Sequence, residues 1–189
     1  TYKHGITPQN ALDIISSYDV VLDASDNAPT RYLLSDACVI ARKPLVSGAA
    51  IGLDGQLTVY CYGDDGPCYR CLFPESPRPE SCARCADAGV LGVVPGIIGT
   101  MQALEAIKIV SGIGKPMGRK MVIMDAAEGR MMMVGLRAKS PNCVACGGKE
   151  EEEEEGDSSN SERITADTIS TYDYREFTGQ VDNDGPPVP

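Results

Sequence analysis

The 189-residue chain is 42% hydrophobic, which suits one domain with a tail. Its net charge of −10 is uneven: residues 1–149 hold 15 basic and 14 acidic side chains, and residues 150–189 hold 2 and 13, so the acidity belongs to the tail and describes no site. No basic stripe points to nucleic acid, no run approaches the roughly 18 apolar residues of a membrane span, and nothing reads as a signal peptide.

Thr7-Pro8 opens a short amphipathic helix carrying Ala11, Leu12, Ile14 and Ile15, with threonine at the cap and proline at the first helical position. His4, the only histidine, precedes it in a loop with nothing nearby to complete a site. Val20-Val21-Leu22 is a short continuous apolar run, the pattern of a strand covered on both faces. It ends in Asp23-Ala-Ser-Asp26-Asn27, at the carboxyl end of a parallel strand, where α/β sheets place ligands. Capping of the next helix is the commoner role for Asp26 or Asn27. That helix is predicted over 29–42, with Tyr32, Leu33, Ala37 and Ile40 on one face.

Pro44 to Ile51 reads as a strand, and Leu53-Asp-Gly55 as the turn that pairs it with Gln56–Tyr62 in a hairpin. The sheet thus starts parallel and turns antiparallel. Asp64 to Pro74 holds a tight knuckle with Cys68 and Cys71, and a proline-rich connector follows. Next come Cys82 and Cys85 and a glycine-bearing lead-in to a helix predicted over 97–112, with Pro95 suited to the first turn. Ile97, Met101, Leu104 and Ile107 or Lys108 recur at helical spacing, and Gly112, Gly114 and Pro116 supply the stop. A thiol ahead of a helix N-terminus can be stabilised as thiolate, which makes Cys85 a candidate nucleophile. Read from these residues alone, metal ligation or an ordinary thiol is the better account of Cys82 and Cys85.

Lys120–Asp125 and Arg130–Arg137 read as two more strands, and the three methionines of the second are expected to pack in the core. Pro141 to Gly148 is a second knuckle, with Cys143 and Cys146. Six consecutive glutamates then open an acidic segment, 149–189, expected to be a largely disordered linker. Within it, Ile164 to Phe177 has enough apolar residues to dock somewhere.

Six of the eight cysteines form three C-x-x-C pairs, at 68/71, 82/85 and 143/146; Cys38 and Cys61 lie alone in apolar segments and are expected in the core. Such pairs in a chain without a secretory signal point to structural zinc in a reducing compartment. Zinc takes four ligands and each knuckle gives two. The shortest loop would join 68/71 to 82/85; the alternative joins 68/71 to 143/146. Spacing does not settle the choice. No G-x-G-x-x-G and no P-loop is present.

Five motifs in this order, Leu22-Asp-Ala-Ser-Asp-Asn with Thr30-Arg31, Pro44-Leu-Val-Ser-Gly-Ala-Ala, Gly66-Pro-Cys-Tyr-Arg-Cys-Leu-Phe-Pro, Cys85-Ala-Asp-Ala-Gly-Val-Leu-Gly-Val-Val-Pro-Gly and Cys143-Val-Ala-Cys-Gly, resemble the MoeB/ThiF group of ubiquitin-activating-like adenylyltransferases. In particular they resemble the eukaryotic member that activates the small subunit of molybdopterin synthase and the ubiquitin-related modifier of tRNA thiolation. The resemblance covers about residues 1–148, and Tyr172-Asp-Tyr-Arg-Glu-Phe resembles that member's interdomain linker. It implies a Rossmann-like α/β fold with a mixed sheet, zinc-clamped at one end, and adenylation by Mg-ATP of the C-terminal Gly-Gly of a ubiquitin-fold sulfur carrier. It further implies that Asp26 faces Mg-ATP and Asn27 lines the same site. Cys68, Cys71, Cys143 and Cys146 would then hold zinc, and Cys85 would act in thiotransfer.

Three departures accompany the resemblance. The N-terminal half of the adenylation domain, which carries the ATP loop, is missing; so is the rhodanese-like domain; and Cys82 is extra. The chain is therefore expected to be the C-terminal part of an adenylation domain from a cytosolic enzyme that is a homodimer when full-length. Two other readings remain at this stage. One is a zinc-stabilised module that binds carrier or partner without turnover, and the other is half of a nicotinamide or flavin dehydrogenase.

Overall fold

The computed structural model describes residues 1–76, 89–148 and 163–179. Among these, α1 (Ala11–Ser16) leads to β1 (Val21–Asp23), α2 (Ala28–Ala41), β2 (Leu45–Ile51) and β3 (Asp54–Tyr60). A short α3 (Tyr69–Leu72) precedes the long α4 (Val93–Ser111), then β4 (Lys120–Asp125), β5 (Arg130–Gly135) and α5 (Tyr174–Thr178). The strands form one sheet in the order β1-β2-β3-β4-β5. β1 and β2 are parallel, with Val21 opposite Leu45, and α2 makes the crossover that parallel pairing requires. The other pairings are antiparallel, and β2 turns into β3 through Gly52, whose φ is +57°, so that Ile51 faces Asp54. This is the expected Rossmann-like mixed sheet.

α2 begins where Asn27 accepts a hydrogen bond from the Thr30 amide (2.9 Å), and its buried face carries Tyr32, Leu33, Leu34, Ala37 and Cys38. That face packs with Ala11 and Ile15 of α1 and Leu45 and Tyr60 of the sheet. Cys38 is fully buried and Cys61 packs against the same cluster. Residues 163–179 complete it: Ile164, Ile169 and Tyr174 are buried there, with Tyr172 and Phe177 alongside. Burial of apolar side chains on this scale is worth about 1.5–3 kcal/mol each.

α4 crosses the opposite face of the sheet. It starts at Val93, before the predicted Ile97, with Pro95 in its first turn, and stops at Gly112 in the left-handed region. Its inward residues are Val94, Ile98, Gln102 and Glu105, not the stripe of Ile97, Leu104 and Ile107, which is exposed. The reason lies in the strands beneath. Gly48 lets the helix approach so closely that an added Cβ would lie 2.6 Å from the Gln102 side chain and 2.8 Å from Ile98. Gln102 then donates to the backbone carbonyls of Asp23 (2.7 Å) and Val46 (3.1 Å). Contrary to expectation, α4 is by length and composition apolar enough to cross a membrane, yet this polar, sheet-facing side packs it on the domain.

The methionines of β5 also depart from expectation. Met131, Met132 and Met133 are 50–58% exposed. β5 is the last strand of the sheet, and no described element covers it, so neither face has a layer to bury them against.

Candidate functional site

Two knuckles meet at one end of the sheet. Cys68 caps α3, and Cys71 lies within it. Cys143 and Cys146 lie in the turn after β5, which closes through the Gly147 amide donating to the Cys143 carbonyl (2.9 Å). Only glycine fits there: a Cβ on Gly147 would sit 2.5 Å from the Pro141 carbonyl oxygen and 2.6 Å from that of Cys143. All four Sγ atoms lie within 4.8 Å of one another. The pairs 68/71, 68/143 and 71/146 are 3.8, 3.6 and 3.2 Å apart, well beyond a disulfide bond.

A tetrahedron of thiolates about 2.3 Å from a zinc ion has edges of about 3.8 Å, so the four sulfurs fit that geometry. The same contacts couple their proton affinities. Hydrogen bonds within the cluster, first with Cys146, pull Cys143 down to about 6, and hydrogen bonds led by Cys143 pull Cys71 well below the usual thiol range. The bond with Cys143 pushes Cys68 and Cys146 well above it. Four thiols this close share protons because four bare thiolates would repel, and a bound cation removes the conflict. The Ser140 amide adds a hydrogen bond to Cys71 Sγ (3.3 Å). These four cysteines could therefore hold a metal ion, through the second of the two pairings that spacing left open. Cys82 and Cys85 lie outside the described residues.

The β1 end holds Asp26 and Asn27. Asn27 caps α2 through Oδ1, and its Nδ2 donates to Asp26 Oδ1 (3.4 Å). The Asp26 carboxylate is exposed beside the helix N-terminus. The loop is shaped by a residue that sequence reasoning passed over. Asp23 is fully buried: its Oδ1 accepts from the Ser25 amide (2.9 Å) and hydroxyl (2.6 Å), and its Oδ2 from the Ser47 hydroxyl (3.0 Å). Arg31 pairs with Asp23 Oδ2 (3.4 Å) and donates to the Ser25 carbonyl (2.8 Å). An Asp followed two residues later by Ser is the signal that was available.

A second buried cluster was also missed. Arg70, between Cys68 and Cys71, is 2% exposed, and its Nε donates to both Asp36 carboxylate oxygens at 3.0 Å; Asp36 is fully buried. Tyr174 donates its hydroxyl to Asp36 Oδ2 (2.9 Å). The guanidinium carbon lies 4.5, 4.9 and 5.1 Å from the rings of Phe177, Tyr32 and Tyr172. Burial pushes the Asp36 carboxyl up to about 6, against the opposing pull of Arg70. The available signal was an aspartate on the apolar face of α2.

The model of the ThiF family matches residues 1–145. The chain belongs to the ThiF family. A Zea mays protein named adenylyltransferase and sulfurtransferase MOCS3-1 is 49% identical over 177 residues, covering 94% of this chain and 35% of its own length. The Drosophila yakuba MOCS3 is 59% identical over 138 residues, covering 73% of this chain and 30% of its own. This ThiF-family chain thus spans about a third of the length of the curated relatives it matches. In fold it is similar to E. coli MccB in a crystal structure with AMPCPP and MccA: TM-score 0.62, 16% identity, 78% of this chain and 45% of that one.

Proposed function

We propose that this chain is part of an ATP-dependent adenylating enzyme that activates the C-terminal Gly-Gly carboxylate of a ubiquitin-fold sulfur carrier and then passes sulfur through Cys85. The observation that carries the reading is the identity of about half the residues to proteins named adenylyltransferase and sulfurtransferase, over 94% of the chain. The carriers would be the molybdopterin synthase small subunit and the ubiquitin-related modifier of tRNA thiolation. The parent protein would be cytosolic and homodimeric.

In this chemistry the carrier carboxylate attacks the α-phosphorus of ATP and pyrophosphate leaves. Asp26, exposed at the strand end, is a hard oxygen donor suited to the magnesium that accompanies the nucleotide. Asp23, Ser25 and Arg31 hold the loop that presents it. The Cys85 thiolate then attacks the activated carbonyl carbon, AMP leaves and a carrier–Cys85 thioester forms; a sulfide-level donor that attacks the same carbon would expel the Cys85 thiolate and release the carrier as a thiocarboxylate. Zinc in the four-cysteine site is structural, because four protein sulfurs leave no open position for substrate.

The clustered sulfurs also suit a second reading, in which the isolated chain is a zinc-stabilised module that binds carrier or partner without turnover. Carrier-dependent ATP–pyrophosphate exchange separates the two. In the full-length protein, Asp26→Asn is expected to lower exchange about 10²-fold, in line with loss of one electrostatic contact in a transition state. Cys85→Ala keeps exchange and loses sulfur delivery. Exchange that ignores the carrier, or sulfur delivery intact without Cys85, contradicts the reading.

A further inference from the structure

Residues 163–179 touch both metal knuckles. At one, the Ile164 amide donates to the Val144 carbonyl (3.1 Å) and Arg163 donates to the Gly147 carbonyl, so the segment grips the turn that carries Cys143 and Cys146. At the other, Arg70 stands between Cys68 and Cys71, and the segment closes over its guanidinium with Tyr172, Tyr174 and Phe177. Tyr32 of α2 packs edge-on against Phe177 (5.0 Å), which joins this cage to the helix beneath. Ile164, Ile169 and Tyr174 are the segment's buried anchors. Seating therefore requires the two knuckles to keep one spacing. At that spacing the four Sγ atoms lie within 4.8 Å of one another, close enough to share one ion.

We propose that the four-cysteine centre is a clasp: metal occupancy and the seating of residues 163–179 across the two knuckles are coupled, each strengthening the other. The coupling lies in residues 163–179 and the two knuckles alone. It needs nothing from the transfer chemistry. Linkage makes it reciprocal: a metal that favours the seated segment is itself bound more tightly when the segment is seated.

Hydrogen exchange with mass-spectrometric readout of the zinc-loaded and chelator-stripped chain tests the first direction. Stripping is expected to raise exchange in peptides from 163–179 while peptides from β2 and β3 keep their protection. Zinc affinity by chelator competition tests the second. Ile169→Ala, which loosens the segment without touching a sulfur, is expected to weaken zinc binding about tenfold, within the usual span of coupling strengths. Met132→Ala on the exposed edge strand is expected to leave it unchanged. The proposal is overturned if 163–179 stays protected without metal, or if the whole domain loses protection in step with it. Unchanged zinc affinity in Ile169→Ala overturns it as well.

Discussion

Replacing Asp36 by leucine isolates the buried ion pair that ties α2 to the first knuckle. The substitution strands Arg70, 2% exposed, without the carboxylate its Nε meets at 3.0 Å on both oxygens. Breaking a buried pair from one side costs about 3–5 kcal/mol, because the remaining charge is left in a poor solvent. The Tyr174 hydroxyl loses its acceptor too, which adds about 1–2 kcal/mol for an unsatisfied buried donor. The rings around the guanidinium offset part of this, about 1–2 kcal/mol. The net expectation is a loss of about 3–5 kcal/mol, read by urea denaturation near pH 7.5 at fixed zinc concentration. The double variant Asp36→Leu/Arg70→Met removes both charges and keeps similar volume, so it is expected to recover most of the loss. A single variant that costs under about 1 kcal/mol, or a double variant no better than the single, refutes the reasoning.

The same carboxyl sets a pH dependence. Its folded pKa of about 6 lies above the ordinary 3.8, so its contribution to stability is full below the lower value and is lost as pH rises through the upper. Denaturation at several pH values should show the wild-type advantage over Asp36→Asn shrinking across that window, and a constant difference argues against the shift. Gly48→Ala forces a Cβ to within 2.6 Å of Gln102, whose amide is held by two carbonyls. The expected cost is about 1–3 kcal/mol, or about 3–10 °C in melting temperature, and an unchanged melt contradicts the packing. Cys143→Ser should abolish stoichiometric zinc in metal analysis while Cys61→Ser retains it; zinc lost with Cys61 instead would misplace the site.

What the sequence disclosed was whatever is written locally. The Asn27 cap and the two knuckles each depend on a few neighbouring residues and stand as read, while the first strand lies one residue later, at Val21–Asp23 with Leu22 exposed, and the hairpin turns at Gly52, ahead of the predicted Leu53-Asp-Gly55. What it hid depends on partners far along the chain. Asp36 meets Arg70 34 residues later and Tyr174 138 residues later, and nothing local announces either. The inward face of α4 could not be chosen by hydrophobicity, because Gln102 and Glu105 are buried for the backbone groups they satisfy: Gln102 binds two carbonyls and Glu105 accepts from the Met117 amide (2.8 Å). The methionines of β5 look like core until the strand order puts them at an edge. Pairing of the knuckles was open for a related reason, since spacing measures loop length and the sheet decides which turns meet.

The zinc X-ray absorption spectrum of the purified protein tests the meeting of those turns most directly. Four sulfur neighbours at about 2.3 Å, with an identical spectrum after Cys82→Ser and Cys85→Ser, are the expected result. A shell that contains nitrogen or oxygen, or one that changes when Cys82 or Cys85 is replaced, would mean that the knuckles at 68/71 and 143/146 do not close on one ion.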